Sequence, residues 1–99
     1  MRAISAPLGI GGVAAAELAR CYGTPLLAFD TDRFDARLAE LEALALGHRL
    51  EVAYAAKALL PVALAARLAR SNLLLDVCSL GELIVAERAR FPAARIVLH

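Results

Sequence analysis

Asn72-Leu73-Leu74-Leu75-Asp76-Val77-Cys78-Ser79-Leu80-Gly81-Glu82 holds a strand, a turn and the opening of a helix in one short stretch. The apolar run from Leu73 to Val77 has the length of a buried strand, and Asn72 suits the turn before it. Ser79 followed three residues later by Glu82 has the spacing of a capping box, in which a hydroxyl and a carboxylate satisfy amide groups at a helix start. The helix reads on to Arg90, Pro92 breaks it, and Arg95-Ile96-Val97-Leu98-His99 begins another strand.

Working upstream, the same alternation recurs. Leu50 to Ala56 reads as a strand; Pro61, harmless at a helix start, precedes an alanine-rich helix from Val62 to Arg70. Pro25 opens the extended run Leu26-Leu27-Ala28-Phe29-Asp30. From Asp32 to Leu46 the apolar residues Phe34, Leu38, Leu41 and Leu44 or Ala45 fall at steps of three and four, which predicts a helix with one buried face, closed by Gly47. Val13 to Tyr22 reads as a short helix ended by Gly23. Helical crossovers of this length make consecutive strands parallel, so the class is α/β. The four strand-like runs end at Asp30, near Lys57, at Asp76 and at His99. In a parallel barrel such ends gather on one face, where barrel enzymes keep their chemistry, and half of an eight-stranded barrel needs roughly 100 residues.

The bulk numbers set limits on partners. With 99 residues, 61% of them hydrophobic, and a net charge of +1, the chain is one small domain at most, with nothing that points to nucleic acid or an anionic membrane. The apolar content is high for so short a chain and suggests surfaces that a larger protein covers. Arginines and acids interrupt every apolar run before membrane-spanning length, and the N-terminus lacks the apolar core of a secretion signal, so a cytoplasmic protein is expected. Cys21 and Cys78 have no metal-ligand spacing and define no disulfide framework, so no metal site is expected.

Lys57 is the one lysine of the chain, beside ten arginines, and it stands in Val52-Ala53-Tyr54-Ala55-Ala56-Lys57-Ala58-Leu59-Leu60. Where positive charge alone serves, this sequence uses arginine. A solitary amine among alanines and leucines suits chemistry that arginine cannot do, because a lysine kept from water is a nucleophile that forms Schiff bases. A snorkelling surface lysine is the alternative reading.

Five segments then match in order and spacing: Ile10-Gly11-Gly12-Val13, Tyr22-Gly23-Thr24-Pro25-Leu26, Tyr54-Ala55-Ala56-Lys57-Ala58, Asp76-Val77-Cys78-Ser79-Leu80-Gly81-Glu82, and Phe91-Pro92-Ala93-Ala94-Arg95-Ile96-Val97-Leu98-His99. With them the chain resembles the pyridoxal-phosphate-dependent amino-acid decarboxylases with an alanine-racemase-like barrel, over about the first quarter of that family's usual length. The Ile-Gly-Gly-Val and Leu-Asp-Val-Cys-Ser wording favours the branch that acts on meso-diaminopimelate and yields lysine over the ornithine or arginine branches; another decarboxylase of the group, acting on ornithine, arginine or carboxynorspermidine, is the enzymatic alternative. A non-catalytic, truncated relative is the rival reading from another class.

The resemblance implies the first half of a parallel (β/α)8 barrel, with residues 1–24 as a lead-in containing a short helix and 25–99 as the partial barrel. It implies pyridoxal 5'-phosphate as cofactor, a small amino-acid substrate, and a homodimer with a shared active site. It assigns Lys57 as the residue that carries the cofactor through an imine, Asp76 as the acid beside it, and His99 as a further cofactor-binding residue, with Lys57 and Asp76 catalytic. Ser79 and Glu82 are explained as a capping box, and His48 as a surface residue. The chain departs from the family's usual wording at Leu59 and at Leu80, where glycine is common.

Overall fold

The computed structural model describes residues 8–99, so the first seven residues of the expected lead-in lie outside the described residues. The described chain falls into two compact units divided between Arg37 and Leu38.

In the first unit, β1 (Gly9–Ile10) pairs antiparallel with β2 (Val13–Ala14), Ile10 facing Val13. Gly11 and Gly12 form the two-residue connection at φ 58° and 81°. Positive φ at both positions is what the tight hairpin turn requires and what residues with a Cβ resist. The Gly-Gly pair carries this signal in the sequence, and the helix expected from Val13 starts two residues later. Val13 and Ala14 form the returning strand instead, and α1 (Ala15–Tyr22) starts after it. Gly23 closes α1, its N–H donating to the Ala19 carbonyl at 2.8 Å.

The run 26–30, expected as a strand, is not one: these residues carry no regular secondary structure. Among the described residues no ladder takes up their backbone groups, and an apolar run becomes a strand only when a neighbour does so. Leu27 is 99% exposed. Asp30 acts as a helix cap, its Oδ1 accepting the Arg33 N–H at 3.1 Å at the start of α2 (Thr31–His48), while Oδ2 accepts the Gly11 N–H at 3.2 Å.

Gly47, expected to end α2, lies inside it. The stop comes two residues later at Arg49, whose φ of 55° reverses the chain so that the Leu50 N–H reaches the Ala45 carbonyl at 2.8 Å. Arg90 plays the same part further on, at φ 57°, with the Phe91 N–H on the Ala86 carbonyl at 2.9 Å. Two arginines thus occupy the left-handed position that glycine usually takes.

The second unit is a three-stranded parallel sheet in chain order: β3 (Ala53–Ala55), β4 (Leu74–Val77) and β5 (Ile96–Leu98). The crossovers contain α3 (Val62–Ala69) and α4 (Leu80–Arg88). This is the α/β arrangement expected, with strands at 53–55, 74–77 and 96–98 inside the runs read as 50–56, 73–77 and 95–99. Leu75 and Val77 point into the covered face and are fully buried, as are Ala65 of α3 and Ala86 of α4; Leu64, Leu68 and Leu73 join them in the core. Period-two alternation puts Leu74 and Asp76 on the opposite face, where neither is fully buried. Ala55, Asp76 and Val97 form one row across that face, with Val97 at 44% exposure. A parallel sheet normally has both faces covered; here the helices cover one.

Opposite the strand ends, Arg95 ties the base of this unit together. Its guanidinium donates to the carbonyls of Ala69, Ser71 and Leu73, the last at 2.9 Å, and lies 4.9 Å from the centre of the Phe91 ring. It thereby serves the carbonyl of the last residue of α3 and two more in the segment that leads to β4.

Candidate active site at the carboxyl ends of the parallel strands

Each strand of the second unit delivers one residue of interest at or just beyond its carboxyl end. After β3 the chain tightens into a single 3-10 turn, Ala56–Ala58, with Ala56 buried and Lys57 exposed. The small side chains on either side explain the turn's tightness, and the buried Ala56 anchors it. The Tyr54 hydroxyl donates to the Leu59 carbonyl at 2.7 Å and so bridges the turn. Nothing in the spacing of the sequence marks Tyr54 for this part. Lys57 is thus an amine open to solvent, where the sequence argument had it kept from water; no wall in the described residues screens it.

Asp76 stands in the middle strand, in register with Ala55 on one side and Val97 on the other. Its side chain is 30% exposed, and Oδ2 lies 3.3 Å from Nδ1 of His99. Oδ1 is buried and has no hydrogen-bond partner. A buried carboxylate oxygen left unpaired is costly, and such atoms in native structures call for an explanation. His99 follows β5 directly, and its backbone N–H donates to the Val77 carbonyl at 2.8 Å, extending the ladder by one bond.

Ser79 and Glu82 form the expected cap. The Ser79 hydroxyl accepts the Glu82 N–H at 3.1 Å, while the Glu82 carboxylate reaches back to the Cys78 N–H at 2.8 Å, one residue before the usual partner in a capping box. Leu80, the departure from family wording, is the first residue of α4, and its φ lies outside the positive region. It strains nothing at Ser79.

The Glu82 carboxylate also accepts from the Cys78 thiol at 3.5 Å. That bond, then burial, then the negative charges of Glu82 and Asp76, push the thiol above its usual range, and the positive charge of Lys57 opposes them. Lys57, Asp76, Cys78 and Glu82 therefore share one electrostatic neighbourhood, with His99 joined to it through Asp76. The sequence expectation named three of these residues, Lys57, Asp76 and His99, and all three come from the carboxyl ends of adjacent strands. No group of three or more His, Cys, Asp or Glu suited to a metal ion occurs among the described residues, and no helix there is long and apolar enough to cross a membrane.

A primary amine on the turn after one strand, with a carboxylate on the next strand that has one oxygen held and the other unpaired, can form a reversible covalent bond with an aldehyde and offer a negative charge to the resulting positive one.

No family model matches the chain. Curated relatives are similar over nearly all of it. The diaminopimelate decarboxylase of Mycobacterium tuberculosis (strain ATCC 25618 / H37Rv) is 47% identical over 90 residues, which cover 91% of this chain and 20% of that protein. The diaminopimelate decarboxylase of Mycobacterium leprae (strain TN) is 48% identical over 90 residues, 91% of this chain and 19% of that protein. That of Bacillus subtilis (strain 168) is 43% identical over 94 residues, 93% of this chain and 21% of that protein. The match falls in the N-terminal part of these proteins, and the chain spans about a fifth of their length.

Proposed function

We propose that this chain, a homologue of the N-terminal part of the diaminopimelate decarboxylases, supplies the lysine-bearing part of a pyridoxal-phosphate-dependent enzyme that decarboxylates meso-diaminopimelate to lysine. The observation that carries the reading is the alignment of Lys57, Asp76 and His99 at the carboxyl ends of three parallel strands in chain order. The similarity to enzymes of that name, at nearly half identity, supports the choice of substrate.

The residues present fit the cofactor. Lys57 offers an exposed amine, and the unpaired Oδ1 of Asp76 offers a buried acceptor suited to a cationic nitrogen. When bound, pyridoxal phosphate supplies an electron sink for the pair left behind as carbon dioxide departs. Lys57 would hold the cofactor through its amine and, once released by the incoming substrate amine, stay close enough to move a proton. Asp76 would place negative charge beside that nitrogen and favour its protonated form. Glu82 fixes the start of α4 and the backbone at Cys78, which keeps the end of β4 in place.

In this reading residues 25–99 belong to an alanine-racemase-like (β/α)8 barrel, with 1–24 as its lead-in. The open face bearing Asp76 is then the barrel interior, covered by strands beyond those seen here. The whole enzyme would be a cytoplasmic homodimer with its site shared between subunits.

The test uses the full-length protein that contains these residues. Supplied with pyridoxal phosphate, it should release carbon dioxide and lysine from meso-diaminopimelate far faster than it decarboxylates ornithine or arginine. Lys57→Ala should abolish the visible absorbance of bound cofactor and lower turnover by orders of magnitude. A borohydride-trapped cofactor found on another residue would overturn the assignment of Lys57.

A further inference from the structure

We infer that His99 is a positioning residue for Asp76: by holding Oδ2 it fixes the carboxylate so that Oδ1 is left to accept from the nitrogen of Lys57 when that nitrogen carries the cofactor. The inference deepens the function proposed above and rests on it. It also changes the part expected of His99, from touching the cofactor to acting through the aspartate.

Three observations carry it. Nδ1 of His99 lies 3.3 Å from Oδ2, and the contact is a hydrogen bond in the tautomer whose Nδ1–H donates to that oxygen. The His99 N–H is bonded to the Val77 carbonyl, so the end of β5 that carries the ring is tied to β4, the strand that carries Asp76. Oδ1 is buried without a partner, although the free rotation of an aspartate carboxylate would let either oxygen turn toward solvent. The side chain is 30% exposed, so a wetter orientation is close at hand, and the His99 bond is the contact that holds this one. Lys57 is the cation of this neighbourhood, its charge acting on the same thiol as that of Asp76. A fixed acceptor serves better than a rotating one because its orientation is set before the cationic nitrogen arrives.

The experiment measures cofactor capture by the full-length apoprotein. Pyridoxal phosphate is titrated while its absorbance is followed, and the adduct is reduced with borohydride and located by peptide mass spectrometry. His99→Ala should weaken capture at Lys57 about tenfold, the loss of one charge-assisted hydrogen bond. Asp76→Asn should weaken it by at least as much, and the double variant should be no weaker than Asp76→Asn alone, because His99 acts only through the aspartate. His99→Asn, whose amide nitrogen sits near the place of Nδ1, should restore capture, and His99→Gln, which reaches toward the place of Nε2, should not.

Additive losses in the double variant would overturn the inference, as would a His99→Ala protein that captures cofactor normally. If His99→Ala fails to fold, the comparison of Asn with Gln still decides, since equal behaviour of the two refutes the positioning role. Failure of the wild-type protein to become labelled at Lys57 would remove the proposed function and this inference together, an outcome distinct from the others.

Discussion

The hydroxyl of Tyr54 donates to the carbonyl oxygen of Leu59 at 2.7 Å, so one hydrogen bond spans the turn on which Lys57 stands. Burial pushes the phenol above its usual range, which keeps it a donor through neutral pH. Tyr54→Phe preserves the ring and removes the bond. The expected cost is about 1 kcal/mol, read as a lower urea midpoint at unchanged m-value. Amides of residues 56–59 should exchange faster by more than the global change accounts for, and exchange there in step with the rest of the sheet would show that the bond does not brace the turn.

Arg95 should matter more to stability than its place near the surface implies. Its fork serves three carbonyls, and lysine has the charge without the fork. Arg95→Lys should cost about 2 kcal/mol in denaturant unfolding, and Arg95→Met somewhat more, because the carbonyls then lose the charge as well. If Arg95→Lys unfolded at the wild-type midpoint, the charge and not the fork would be the stabilising feature.

The parallel sheet was legible because β3, β4 and β5 are short apolar runs bounded by residues that turn the chain, and the alternation of runs with helices leaves few topologies open. The run 26–30 looks the same as those three in sequence. What separates it is a ladder partner, and pairing depends on distant residues that a local pattern does not contain. Helix ends failed for a similar reason: Gly47 is the residue expected to stop a helix, but Arg49 and Arg90 take the left-handed position where the chain must reverse. Of the site, Lys57 stood out by being alone among arginines, and Ser79 with Glu82 by their spacing. The contacts of Tyr54 and Arg95 go to backbone carbonyls, which every residue possesses, so no pattern of side chains announces them.

Ser79 and Glu82 separate cleanly by mutation. Ser79→Ala removes the oxygen that accepts the Glu82 N–H and should cost about 1 kcal/mol. Glu82→Gln removes one of the two negative charges that raise the thiol pKa at Cys78 and leaves only a neutral, weaker acceptor for the thiol where the leading hydrogen bond is made. The thiolate fraction at a given pH should then rise, and alkylation of Cys78 by iodoacetamide should quicken severalfold at mildly alkaline pH. Cys21, an exposed thiol in the other unit, gives the reference rate. Equal acceleration at both cysteines would point to general loosening instead of a change in the charge at Cys78.

Asp30 should make the first unit sensitive to acid. Its carboxyl is held below the usual carboxylate range, foremost by the Arg33 N–H, with burial working against the shift and the N–H groups of Gly11 and Asp32 and the charge of Arg33 adding to it. Because the folded value lies below the unfolded one, the stabilisation is complete above the ordinary aspartate range and is lost as pH falls through the folded value. The window is therefore on the acid side of that range. Amide resonances of Gly11 and Arg33, two of the donors to this carboxylate, should shift together there as the tether between hairpin and helix start releases. Asp30→Asn keeps an oxygen that can cap α2 but cannot titrate, so the shared transition should vanish while the helix start persists. Asp30→Ala should loosen both ends at every pH. An acid transition at Gly11 and Arg33 that survives in Asp30→Asn would show that another group controls it.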